Sequence, residues 1–177
     1  MIRGLVGVVP HHTIEVGRFY MAPAYQGNNW LFQCVQTDEP LDDGFRQKAL
    51  FMTTGGRPDI GLHELPYQTA LVALDDVHVR VDPTSLDRSA FDTTLRRGLF
   101  LVRGDEAFIC APTDPIRGWA VININTGRTV SARLGTDWLS FSRWSLVMDD
   151  EEGDELTIAT FGEDAPPAAG VPGAIGY

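Results

Sequence analysis

The stretch DDVHVRVDPTSLDRSAFDTTLRRG, Asp75 to Gly98, decides the fold class, because it sets the cleanest strand signal in the chain beside its clearest helix signal. In the first part Val77, Val79 and Val81 fall on one side of an extended chain, and Asp76, His78, Arg80 and Asp82 on the other. A period of two with one wet face marks a half-buried strand. From Pro83 the period lengthens, and Leu86, Ala90, Phe91 and Leu95 form a stripe at helical spacing. Asp82 is placed to cap that helix and Pro83 suits its first position. Arg96 and Arg97 complement the dipole at the far end, and Gly98 supplies the stop. One short helix is therefore predicted over 83–97.

Outward from this stretch the pattern is strands and turns. Thr13 to Tyr25, the polar loop QGNN and Trp30 to Thr37 read as a hairpin. Within it Trp30, Phe32 and Cys34 share one face, and Leu31, Gln33 and Val35 the other. A short apolar piece, Ala49 to Met52, precedes TTGGRPDIGLHELP, Thr53 to Pro66, read as a long irregular connection. Beyond Gly98 come GLFLV, the turn RGDE, AFICA, WAVININ, the turn TGR, TVSARL, WLSFSRWSLVM and LTIATF. Gly162 to Tyr177 is a Pro/Ala/Gly-rich tail without periodicity.

The expected fold is all-β, β-dominated with one short helix. A partly open barrel or small sandwich of SH3-like or related type fits, as one β-rich domain over 1–161 followed by the tail. There is an internal echo: Gly17-Arg18-Phe19 precedes Phe32-Gln33-Cys34, much as Gly98-Leu99-Phe100 precedes Phe108-Ile109-Cys110. Two half-barrels flanking the helix would produce it; so would coincidence, the preferred reading, since hairpins reuse the same residue types.

An apolar fraction of 44% with 21% charged residues is that of a folded globule. The net charge is −10, yet the run from Asp149 to Glu155 carries six carboxylates of that excess. Acidity is thus local, which argues against an acidic mimic of nucleic acid. Its cations are scattered arginines and a single lysine, Lys48, so no basic patch for nucleic acid forms. No apolar run is long enough to span a bilayer and no secretory pattern opens the chain. Synthesis in the cytoplasm, with Cys34 and Cys110 reduced, is the expectation.

The acidic run MDDEEGDE, Met148 to Glu155, fails as a calcium loop. With Gly153 at the glycine position, Met148 and Ala159 occupy the two terminal ligand positions. It reads instead as a solvated turn between strands. The glycines of Met52 to Gly61 lack the helix that a phosphate-binding loop requires. The length of 53–66 nevertheless suggests a binding or assembly loop, with Arg57 and His63-Glu64 as its polar equipment. His63-Glu64 is followed by Pro66, which excludes the zinc-protease helix. His78, flanked by Asp76 and Arg80, could join an acid–histidine pair but reads as part of a wet face. Cys34 and Cys110 lie on apolar faces and read as core thiols. No cofactor and no metal site is expected.

The functional expectation is a non-enzymatic protein acting by contact: a structural or assembly subunit of a larger complex such as a viral particle, self-associating through its tail. The interaction candidates are Asp149, Asp150, Glu151, Glu152, Asp154 and Glu155, with Arg57, His63, Pro166, Pro167 and Tyr177. The alternative is a small acidic inhibitor that meets a basic enzyme through the acidic run. A barrel-type nuclease or hydrolase ranks third.

Overall fold

The computed structural model describes residues 5–9, 14–22, 30–37, 46–54, 57–65, 71–87, 95–114, 118–130, 137–149 and 152–162. Among them the chain is all-β, with a large mixed sheet and a smaller three-stranded sheet, not closed into a barrel. This is the general arrangement of a β-sandwich.

The first strands are β1 (Leu5–Val9), β2 (Phe19–Ala22), β3 (Trp30–Gln36), β4 (Gln47–Thr54), β5 (Arg57–His63), β6 (Leu71–Leu74) and β7 (His78–Val81). β2 to β5 form an antiparallel meander, and β6 inserts between β1 and β2. The alternation of WLFQCVQ works as expected. Phe32 and Cys34 join one apolar cluster with Tyr20 and Leu71, while Leu31 and Val35 join the main core.

Then come β8 (Leu86–Asp87), β9 (Phe100–Arg103), β10 (Glu106–Asp114), β11 (Gly118–Asn123), β12 (Arg128–Val130), β13 (Leu139–Phe141), β14 (Trp144–Asp149) and β15 (Glu155–Phe161). β9 to β12 form a second antiparallel meander, and β13 inserts between β8 and β9. A parallel pairing of Arg128 with Gln36 joins β12 to β3. The small sheet runs β15-β14-β7, with its apolar face on the main core and β7 at its edge.

Three expectations change. The helix over 83–97 is, in its described part, a 3-10 turn over Pro83–Ser85. Asp82 does cap it, accepting from the Thr84 N–H at 2.9 Å, but Leu86 turns extended to pair with Phe141. Cross-strand pairing overrides the helical spacing there; residues 88–94 lie outside the described residues. The irregular connection of 53–66 is largely a hairpin, since Thr54 pairs with Arg57 and Ala49 with His63. Gly55 and Gly56 lie outside the described residues. WLSFSRWSLVM is two strands in two sheets, broken at Ser142-Arg143.

The residues of the internal echo make matching bonds. Gly17 N–H donates to the Cys34 carbonyl (2.7 Å), and Cys34 N–H to that of Arg18 (3.1 Å). Gly98 N–H donates to the Cys110 carbonyl (2.9 Å), and Cys110 N–H to that of Leu99 (3.0 Å). Both glycines have positive φ, 90° and 74°, in turns closed by Arg18 N–H to Glu15 and Leu99 N–H to Arg96.

Candidate functional site

The acidic run is the turn between β14 and β15. Asp149 pairs with Glu155 across the hairpin, and Glu152, Asp154 and Glu155 are exposed. Asp150 and Glu151 lie outside the described residues. Glu155 turns inward along the wet face of the small sheet, where it forms an ion pair with Arg80 and meets His78 Nε2 at 3.4 Å. The guanidinium of Arg80 also donates to Thr157 Oγ1 at 3.1 Å. The acid beside His78 is thus Glu155, from two strands away, and not the flanking Asp76 side chain. Exposed ion pairs of this kind contribute little to stability, on the order of 0–1 kcal/mol.

The other candidates are dispersed. Arg57 opens β5 and His63 closes it, exposed at the opposite end of the strand. Pro166, Pro167 and Tyr177 lie outside the described residues. Among the described residues no group of three or more His, Cys, Asp or Glu is placed to hold a metal ion, and no helix is long and apolar enough to cross a membrane.

Cys34 and Cys110 occupy separate apolar clusters on β3 and β10, both fully buried and unbridged. Burial pushes the Cys34 thiol up to about 11 and the Cys110 thiol up to about 12. Neither is a nucleophile at neutral pH, because only the thiolate attacks.

Two hollows remain. One, of about 270 Å³, lies at the end of β15 between Ile60, Arg96, Arg97, Ser142 and Phe161. Arg97 at its rim is paired with Asp59 at 2.6 Å. The second, of about 350 Å³, runs beneath β7 between the sheets, lined by Val77, Val79 and Val81 above and Phe19, Phe100 and Ile124 below. This groove is mostly apolar, with His78 and Asn125 also in its lining, and it lies beneath the strand at the edge of the small sheet among the described residues. Sequence reasoning identified the three valines as the inward face of a strand but not that β7 lies at an edge. That depends on which strand pairs beside it.

Among the described residues the chain is thus all-β in two sheets, with a mostly apolar groove beneath β7. No family model, no curated protein and no solved structure matches this chain.

Proposed function

We propose that this protein acts by protein–protein contact, as a structural or assembly subunit of a larger complex such as a viral particle. One observation carries the reading: the apolar groove beneath the edge strand β7. Its valines are half-buried, and among the described residues β7 has no neighbour on its outer edge, the kind of surface that a partner strand covers. Self-association through the segment from Gly162 to Tyr177 is the form this contact takes in our reading.

Light scattering after size exclusion tests it, on the full chain and on a chain ending at Phe161 whose fold is checked by circular dichroism. The full chain should be a defined oligomer and the shortened one a folded monomer. A full chain that stays monomeric at high micromolar concentration overturns the proposal.

A second reading has its own observation, the exposure of Glu152 and Asp154 at the tip of the β14–β15 turn. An acidic inhibitor would use that tip against a basic enzyme, and its complex would weaken steeply with salt.

A further inference from the structure

We infer that the outer edge of β7 is a strand-acceptor site, filled by the segment from Val171 to Tyr177 of a second copy of this chain. The inference rests on the assembly reading and names its socket and plug.

The socket follows from an equivalence between the two parts of the chain. Leu74 on β6 pairs with Phe19 on one side and Leu5 on the other. Phe141 on β13 pairs in the same way with Phe100 and Leu86. Matching residues recur in the outer apolar clusters: Tyr20, Phe32, Cys34 and Leu71 in one, Leu101, Phe108, Cys110 and Trp138 in the other. The meander β2–β5 therefore corresponds to β9–β12, and β7 corresponds to β14.

Val79 follows Leu74 at the same interval as Leu146 follows Phe141, and these two equivalent residues face each other directly in the β7–β14 pair. Equivalent residues opposite one another mark a local two-fold axis. Rotation about it exchanges β7 and β14, but β14 carries β15 on its outer edge. Among the described residues β7 carries nothing there, because the chain after Val81 turns through Pro83–Ser85 into β8.

Burial differs between the two sides of the axis. Trp144, Leu146 and Met148, beneath β14, are 1%, 0% and 1% exposed. Their counterparts Val77, Val79 and Val81 are only half-buried, and the groove lies directly below them. β15 fills its own side with Leu156, Ile158 and Phe161. The strand that completes the other side must likewise present apolar groups toward the core.

Val171 to Tyr177, VPGAIGY, does so: Val171, Ile175 and Tyr177 share one face of an extended chain, with Gly173 between them. Pro172 then has its nitrogen on the outward side, where an edge strand tolerates the absent N–H. The donor is a second copy for a geometric reason. β15 runs in the same direction as β7 and leaves the sheet beside Trp144, at the Val81 end. Intramolecular closure antiparallel to β7 needs the chain past Gly162 to cross β14 and β7 and reverse, whereas consecutive prolines such as Pro166-Pro167 favour an extended spacer. An extended spacer hands the strand to a neighbour.

The test uses the full chain and its Ile175→Asp variant, with light scattering for size and amide hydrogen exchange for the edge. In the unmodified oligomer the outward-facing amides of His78–Val81 should be protected. Ile175→Asp should release monomers and speed that exchange about tenfold or more. A synthetic peptide of residues 170–177 added to the variant should restore the protection without restoring the oligomer. An oligomer in which these amides exchange freely overturns the inference and leaves the assembly reading standing. A monomer with protected amides overturns the second-copy donor, and a monomer with unprotected amides overturns both.

Discussion

At Gly127 the backbone has φ +66°, and an added Cβ would meet Gly17 N at 2.4 Å and the Cys34 carbonyl oxygen at 2.7 Å. Those contacts are backbone and cannot rotate away. Gly127→Ala is expected to cost roughly 2–5 kcal/mol, combining strain with overpacking. Gly104 has a similar φ of +62° with nothing within 4 Å, so Gly104→Ala should cost only about 1–2 kcal/mol. Urea denaturation of the two variants gives the ranking, and equal losses would mean that the close approach is absent in solution.

The buried thiols make a second residue-scale prediction. A thiol in the unfolded chain ionises near 9 and both folded thiols ionise higher, so the native state binds their protons more tightly. Their contribution to stability is fully present below pH 9 and is lost as the pH rises toward 11 and 12. Replacing both by Ser should flatten the alkaline fall in stability, read by denaturation at several pH values. Native protein should also resist thiol reagents at pH 8 until it unfolds. The inert character of Cys34 and Cys110 was legible, since each shares a strand face with aromatics. The partner of His78 was not, because Glu155 approaches from a strand remote in sequence.

At the scale of elements, the turn between β14 and β15 tests how much the acidic run matters to the fold. Glu152→Gln and Asp154→Asn should each change stability by less than about 0.5 kcal/mol. Glu155→Gln, which removes the contacts to Arg80 and His78, should cost up to about 1 kcal/mol, a difference that salt erases. Chemical denaturation at low and high salt checks both. The hairpins were legible because alternation and turn residues are local. The helix was misread although its cap is real: Asp82 holds Thr84, but Ser85 Oγ receives the Arg143 N–H at 3.0 Å and Leu86 joins β13. Local signals set where the turn begins, and partners from residues 141–143 set where it ends.

At the scale of the molecule, the all-β class followed from the alternation and the scarcity of helical spacing, which left a partly open barrel and a small sandwich as alternatives. The pairing order did not, because which edges meet depends on contacts between segments far apart in the chain. The internal echo was visible as residue types but its meaning lies in register. Gly17 with Cys34 and Gly98 with Cys110 are equivalent by their hydrogen bonds, which spacing alone does not supply. Even the departures from equivalence have local causes. Gln36 donates its N–H to the Gly127 carbonyl at 2.7 Å, while at the corresponding place on β10 stands Pro112, which has no N–H to give.

The place of β7 in the small sheet bears on how the protein is made. Its inner neighbour, β14, leaves the ribosome long after β7 itself, so the nascent first part shows a valine strand bare on the edge that β14 later covers. Asp76, Arg80 and Asp82 then act as gatekeepers, since charges along such a strand discourage pairing with other emerging chains. The wet face of β7 is thus useful before the sheet exists, during the interval when translation has supplied the strand but not its cover.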